Sequence, residues 1–82
     1  MSPAQCRAGR ALLEITQTQL ATSAGLGLST VVDFEKGRRQ LSSESIELIF
    51  RALSQAGVEF IDENGGGPGV RLRKRQQAKR SK

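Results

Sequence analysis

Histidine, tryptophan and tyrosine are absent from this chain of 82 residues, and each absence narrows what the protein can be. Without histidine the commonest general base of enzymes is missing, and one cysteine without histidine cannot form a zinc site of the usual kind. We therefore predict no catalytic centre, no metal and no other cofactor. The three Phe are the only aromatic residues, so the core has to consist mainly of aliphatic side chains, which favours a small helical bundle.

Cysteine and long apolar runs are also scarce. The single cysteine, Cys6, excludes an internal disulfide and indicates a reducing compartment. No apolar run approaches the roughly 18 residues of a membrane-spanning helix, and the first residues lack the apolar stretch of a secretory signal peptide. We therefore expect a cytoplasmic protein without a membrane association, and no small-molecule ligand is evident.

The positive charge is confined to one end of the chain. The formal net charge is +5, but residues 70–82 hold seven of the 13 basic side chains and no acid. Residues 1–69 carry six basic and eight acidic side chains, a net charge of −2. The high isoelectric point therefore describes a tail, and evidence for nucleic-acid binding has to come from the sequence pattern.

Helix-capping patterns predict two helices in the first 25 residues. Ser2-Pro3-Ala4-Gln5 is typical of a helix start. The apolar face of this first helix is predicted to consist of residues that recur at helical spacing, namely Ala8, Ala11, Leu12 and Ile15. Thr16 forms a capping box with Gln19 at the start of a second helix. Gly25 follows at the position where helices commonly end in a left-handed residue.

Two further helices are expected before residue 57. The third runs from about Leu28 to Lys36, with Gly27 or Ser29 as its N-cap, of which Gly27 is favoured, and with Gly37 as its stop signal. Ser43 is predicted to cap the fourth helix, which ends at Gly57. The core face of this helix is predicted to consist of Ile46, Ile49, Phe50 and Leu53.

The second and third helices meet the physical demands of a helix-turn-helix over about residues 17–36. The crossing point needs a small residue, which is Ala21, and the turn needs a glycine, which is Gly25. Apolar residues have to clamp the two helices from inside. Those at suitable spacing are Leu20, Ala24, Leu26, Val31 and Phe34.

The segment Thr16–Ala21 with Gly25, followed by Ser29–Val31 and Phe34–Arg38, resembles the Cro/phage-repressor (XRE) family of regulators. The resemblance covers about residues 5–57 and implies a mainly α, compact four-helix, lambda-repressor-like DNA-binding domain. It departs at Gly27, where the family usually carries Ser or Thr. The resemblance also implies that Gln17 contacts phosphate and that Arg10 and Glu35 form a structural ion pair between the first and third helices.

The exposed face of the third helix is the predicted DNA-contacting surface. Hydroxyl groups bond to base edges or phosphate, apolar side chains contact thymine methyl groups, and a carboxylate accepts from a cytosine amino group or instead repels phosphate. The predicted contact residues on this helix are Leu28, Ser29, Thr30, Val32 and Asp33. Arg38 and Arg39 follow the helix, where they either contact phosphate or lie in a solvated turn.

The last 25 residues have a different character. Val58–Asp62 and Val70–Arg73 are β-like runs around a glycine-rich loop, which predicts a hairpin over residues 58–73. An isolated hairpin is marginal in water, so it has to pack on the helices or pair with another chain. The predicted dimerisation residues are Val58, Phe60, Ile61, Val70 and Leu72. Residues 74–82 are predicted to be a basic, disordered tail.

These observations lead to two hypotheses about function. The first is a homodimeric, sequence-specific regulator that binds double-stranded DNA at a palindromic operator and acts as a repressor in bacteria or phage. The second is an antitoxin or anti-activator that acts chiefly through protein–protein binding at the hairpin edge.

Overall fold

The structure is a computed structural model and describes residues 1–62 and 65–73. Among these described residues, four helices precede one antiparallel hairpin, and the predicted mainly α fold is confirmed. The predicted tail of residues 74–82 lies outside the described residues. The helices are α1 (Pro3–Leu13), α2 (Gln17–Ala24), α3 (Leu28–Glu35) and α4 (Ser43–Gln55), and the strands are β1 (Val58–Ile61) and β2 (Gly69–Leu72).

The residues that cap the helix starts match the sequence patterns in three of four cases. Both predicted capping boxes form, at Ser2 for α1 and at Thr16 for α2. Gly27 is the N-cap of α3 and provides no side-chain hydrogen bond. The prediction of Ser43 as the cap of α4 was wrong, because the hydroxyl of Ser42 accepts the Ser45 N–H at 3.1 Å. Adjacent serines offer the same capping chemistry, so the pattern could not separate them.

The apolar core joins the helices to the hairpin. Buried side chains from all four helices form one cluster, and Val58 at the start of β1 belongs to it. The hairpin therefore packs on the helices of its own subunit, which is the first of the two possibilities left open by the sequence. The largest aliphatic members of the cluster are Leu20, Ile49, Leu53 and Val31.

The predicted apolar face of α1 was wrong at three of its four residues, since only Ile15, which follows the helix, packs against the core cluster. Ala8, Ala11 and Leu12 are exposed, while the core-facing side carries Cys6 and Gly9. Helical spacing identifies an apolar stripe but does not determine which side of the helix faces the core. The inner side of α1 instead has a small residue that admits neighbours, since a Cβ built at Gly9 would lie 3.4 Å from a Leu53 methyl group.

Phe50 was also misplaced by the sequence pattern. Its side chain is exposed at the edge of α4 and packs against Phe60 of β1, with ring centroids 5.0 Å apart. This aromatic contact attaches β1 to α4. On the opposite side, the Gln5 amide donates to the carbonyls of Gly69 at 3.0 Å and Ile61 at 3.4 Å, so α1 holds the turn end of the hairpin.

Within residues 1–62 and 65–73, no helix combines the length and apolar character needed to cross a membrane.

Candidate nucleic-acid interface

The turn between α2 and α3 has the geometry that a helix-turn-helix requires. Gly25 adopts the left-handed conformation with φ 72°, which costs an L side chain free energy that glycine avoids. The chain then closes back on α2, since Leu26 N–H donates to the Ala21 carbonyl at 2.9 Å. Ala21 itself is buried in the core cluster. The predicted small residue and turn glycine therefore stand where the fold needs them.

The inner faces of α2 and α3 lock the two helices together. Val31 and Phe34 of α3 are buried with Leu20 and Ala24 of α2, while Leu26 in the turn is half-buried. Because residues three apart lie on the same side of a helix, burial of Val31 and Phe34 fixes which side of α3 is exposed. The orientation of the recognition helix is thus set by the core.

The exposed side of α3 carries the predicted DNA-contacting residues. Leu28 is 46% exposed, Ser29 is exposed, and the rest of the set is half-buried: Thr30, Val32 and Asp33. None of these five residues belongs to the core cluster. An exposed leucine at the first position of a helix, next to exposed hydroxyl groups, is a surface that fits base edges and methyl groups in a major groove.

Lys36 is a basic residue on the same side of α3, and it was not among the predicted DNA-contacting residues. It is the exposed C-cap of α3 and follows Ser29 by seven residues and Val32 by four. These intervals place the three residues on one side of the helix. The spacing is visible in the sequence, but Gly37 directly after Lys36 indicates the end of a helix and does not indicate a contact surface.

Arg38 and Arg39 fold back towards α3. The Arg38 guanidinium lies 3.7 Å from the Asp33 carboxylate, and Arg39 donates to the Thr30 hydroxyl at 3.4 Å. Both arginines are exposed, so these contacts leave them accessible to a partner. The pairing also reduces the negative charge that Asp33 presents beside the predicted DNA-contacting residues.

The C-terminal end of α3 is anchored by a buried carboxylate. Glu35 is 1% exposed and accepts two hydrogen bonds of 2.8 Å from the Arg10 guanidinium, so the predicted ion pair is present. The side-chain amide of Gln17 donates to the same carboxylate at 3.0 Å, and the Cys6 thiol also donates to it, at 3.1 Å. Arg7 donates to the backbone carbonyl of Glu35. One residue of α3 is thus bonded to both α1 and α2.

The protonation equilibria of this cluster follow from burial and hydrogen bonding. Burial alone would raise the pKa of Glu35, but the hydrogen bonds from Arg10, Cys6 and Gln17 outweigh it and lower the pKa. The pKa of Arg10 is raised, chiefly by its hydrogen bond to Glu35. Burial, with the hydrogen bond to Glu35, raises the pKa of the Cys6 thiol far above its usual range. The thiol therefore stays protonated and acts as a donor.

The predicted contact residue Gln17 has a different geometry from the one expected. Its side-chain amide is directed to Glu35 and not to solvent. The residue is nevertheless the first of α2, where backbone N–H groups have no partner within the helix. A phosphate at this helix end would therefore meet the backbone N–H of Gln17 and not its side-chain amide.

The predicted dimerisation residues are buried to different degrees. Val58 is 1% exposed, so its side chain belongs to the core of its own subunit and is not available at the surface. Phe60, Ile61 and Val70 are half-buried, and Leu72 is 45% exposed. Of the five predicted dimerisation residues, these four are therefore accessible at the surface.

A family model described as Helix-turn-helix (HTH_3) matches residues 7–55, which is more than half of the chain. The chain therefore belongs to the Cro/C1-type helix-turn-helix family, whose domain binds DNA. No curated protein matches the chain. Within the part of the chain that the structure describes, no group of three acidic, histidine or cysteine residues is arranged to hold a metal ion.

Proposed function

We propose that the protein is a transcriptional repressor that binds a palindromic operator as a homodimer and inserts α3 of each subunit into the major groove. The observation that carries this proposal is the asymmetry of α3. Its first residues, Leu28 and Ser29, are exposed, whereas Glu35 at its end is buried and bonded to α1 and α2. In helix-turn-helix proteins the N-terminal residues of the recognition helix contact the bases.

The exposed residues divide into those that select a DNA sequence and those that bind the DNA backbone. Ser29 and Thr30 bond to base edges, Leu28 and Val32 contact thymine methyl groups, and Asp33 adjusts the choice of base. A second group contacts phosphate and carries no sequence information. Its members are Lys36, Arg38, Arg39 and the backbone N–H of Gln17.

A homodimer matches the two half-sites of a palindrome, which are about one helical turn of DNA apart. A dimer that covers roughly two turns of DNA would exclude other proteins from that segment, so repression requires no further domain. The chain would act where the DNA is, which in a bacterium is the cytoplasm. The lone, buried and protonated Cys6 is compatible with that reducing compartment.

Selection of bound sites from random double-stranded DNA at near-physiological salt tests the proposal. The expected result is one enriched inverted repeat, with half-sites about one helical turn apart. A selection that enriches no motif would contradict sequence-specific binding. Enrichment of a single half-site, without its repeat, would leave DNA binding intact and refute the homodimeric operator. Stoichiometric co-purification of a second protein, without specific DNA binding, would favour the antitoxin or anti-activator function instead.

Affinity for the selected site as a function of salt separates the two groups of residues. Removing one phosphate contact lowers the slope of log affinity against log salt by about 0.9. We expect this decrease for Arg39→Ala and for Lys36→Ala. The matched control is Arg51→Ala, an exposed arginine of α4 that pairs with Glu47, for which the slope stays unchanged.

A further inference from the structure

The helical part of the chain has few cations to offer a DNA backbone. Residues 1–69 carry six basic and eight acidic side chains. Three of the six basic side chains are in ion pairs with carboxylates, namely Arg10, Arg38 and Arg51. Arg7 is directed to the backbone carbonyl of Glu35. Among the described residues, the side chains of Lys36 and Arg39 are exposed and bond to no carboxylate or backbone group.

This shortage matters because electrostatics dominates the sequence-independent part of DNA binding. Each phosphate that a protein neutralises releases condensed counterions and so adds to the affinity. The net charge of residues 1–69 is −2, which opposes approach to a polyanion. The helical part is therefore equipped to choose a sequence but poorly equipped to attract DNA.

The opposite composition is found in the basic tail, residues 74–82. It contains no acidic residue and five of the 13 basic side chains of the chain, namely Lys74, Arg75, Lys79, Arg80 and Lys82. It also contains no aromatic residue. Stacking on aromatic side chains is the usual means of holding unstacked single-stranded bases. Lysine and arginine alone favour the phosphates of a duplex.

Arg73 fixes the point at which the basic tail begins. Its backbone N–H donates to the Gly57 carbonyl, and its guanidinium donates to the Ser54 carbonyl at 2.8 Å. Ser54 is in the last turn of α4, where carbonyls lack partners within the helix and a cation is favourable. Residue 74 follows directly, so the basic tail starts beside the C-terminal end of α4.

This end of α4 lies beside the N-terminal end of α2. A groove of about 440 Å³ runs between the two helices, with Ala52 and Ala56 among its lining residues on α4. Thr18 and Gln19, in the first turn of α2, line its other side. Gln17 begins that turn, and its backbone N–H is the proposed phosphate contact. The basic tail therefore starts on the side of the protein where α2 meets the DNA backbone.

The length of the basic tail is sufficient for several contacts. Nine residues span at most about 30 Å when extended. Phosphates follow one another at about 3.4 Å along the helix axis for each DNA strand. From its start beside α4, the basic tail can therefore reach several phosphates next to the one at the α2 terminus.

We propose that the basic tail binds the phosphate backbone of duplex DNA next to the α2 contact and supplies sequence-independent affinity that the helical part lacks. The inference rests on the proposed DNA binding and assigns two tasks to separate parts of the chain. The exposed end of α3 determines which sequence is bound, and the basic tail determines how tightly any duplex is held.

Neutralisation of the basic tail in the full chain tests this proposal. The neutral variant combines five substitutions: Lys74→Gln, Arg75→Gln, Lys79→Gln, Arg80→Gln and Lys82→Gln. The slope of log affinity against log salt should fall by about 0.9 for each phosphate contact that is lost. Affinity for the selected site at near-physiological salt should fall at least roughly 10-fold. Charges more than about 8 Å from the DNA are largely screened there, so a lower slope indicates contact.

The matched control keeps all five charges and changes only their order. The reordered variant combines Lys74→Gln with Gln76→Lys, and Arg80→Ser with Ser81→Arg. Its affinity should stay within about two-fold of the wild-type value, because phosphates recur along the duplex and carry no sequence information. Circular dichroism checks that both variants are folded. A loss as large as that of the neutral variant would contradict sequence-independent binding by the basic tail.

An unchanged slope for the neutral variant would overturn the proposal, even if that variant bound single-stranded RNA less tightly. Site selection should return the wild-type motif for both variants, and a different motif for the neutral variant would overturn the separation of tasks. If the wild-type protein enriches no motif, the proposed operator fails. The salt slopes measured on a random duplex of fixed length would then still decide whether the basic tail binds DNA.

Discussion

The two ends of the recognition helix are held in opposite ways. At the C-terminal end, Glu35 is buried and accepts hydrogen bonds from three side chains of α1 and α2. At the N-terminal end, the Gly27 cap provides no side-chain hydrogen bond, and Leu28 and Ser29 are exposed. A helix fixed at one end keeps its direction, while the other end remains open to a partner.

Substitution of Arg10 should cause the largest loss of unfolding free energy. Arg10→Met leaves the Glu35 carboxylate buried without its cation, and the loss of one partner from a buried pair costs about 3–5 kcal/mol of unfolding free energy. Chemical denaturation measures this loss. The control is Arg51→Met, whose exposed pair with Glu47 at 3.0 Å contributes about 0.5 kcal/mol or less. Similar losses for the two variants would contradict an anchoring role for the buried pair.

Acid should weaken the same anchor to a smaller degree, because a protonated carboxyl group still forms hydrogen bonds. The pKa of Glu35 is lower in the folded protein than in the unfolded chain. Its charge therefore stabilises the fold at pH values above the unfolded pKa, and this contribution is lost as the pH falls through the lower, folded pKa. The unfolding free energies of wild type and Glu35→Gln should differ most near neutral pH, and the difference should begin to shrink once the pH falls below the unfolded pKa of about 4.3. A constant difference would contradict the assignment.

Gln17 should matter for stability as well as for DNA binding. Gln17→Ala removes one neutral donor from the buried carboxylate, which costs about 1–2 kcal/mol of unfolding free energy. Thermal or chemical denaturation checks this value. Gln55→Ala, at an exposed position in the last turn of α4, should change stability by less than about 0.5 kcal/mol. If Gln17→Ala were as stable as that control, the role of Gln17 would be limited to the DNA surface.

Substitutions at the open end of α3 should change the unfolding free energy least. Gly27 has an extended conformation with φ −71°, and a Cβ at this position would meet only the Thr30 hydroxyl oxygen, 3.9 Å away. Gly27→Ser therefore adds a capping hydroxyl without strain and should raise the unfolding free energy by about 0.5–1 kcal/mol. Gly27→Ala reduces only the freedom of the unfolded chain, so Ser should exceed Ala in stability. The reverse order would show that the serine hydroxyl does not cap α3.

Local patterns in the sequence predicted the parts of the fold that local chemistry decides. Both capping boxes, the left-handed Gly25 and the small residue Ala21 follow from interactions within a few residues. The inward side of α1 could not be predicted in the same way, because it depends on Leu53, Val58 and Glu35, which are distant in sequence. Cys6 and Gln17, which also donate hydrogen bonds to Glu35, were not predicted for the same reason.

The candidate site shows a similar division. The exposed positions from Leu28 to Asp33 followed from helical spacing and from the resemblance to the phage-repressor family. The contacts of Arg38 with Asp33 and of Arg39 with Thr30 depend on the path of the chain after Gly37, which spacing alone does not define. Lys36 was missed although its spacing was regular, because it was assigned to the end of the helix and not to its surface.

Parallel site selection with the wild-type protein and three variants tests whether the open end of α3 determines the DNA sequence that is bound. If the open end of α3 contacts the bases, Ser29→Ala and Thr30→Ala should each change the preferred base at one position of each half-site, because a side chain that bonds to a base edge determines that base. Arg39→Ala should retain the wild-type motif with lower affinity. An identical motif for the wild-type protein and both hydroxyl variants would contradict base recognition by this end of the helix.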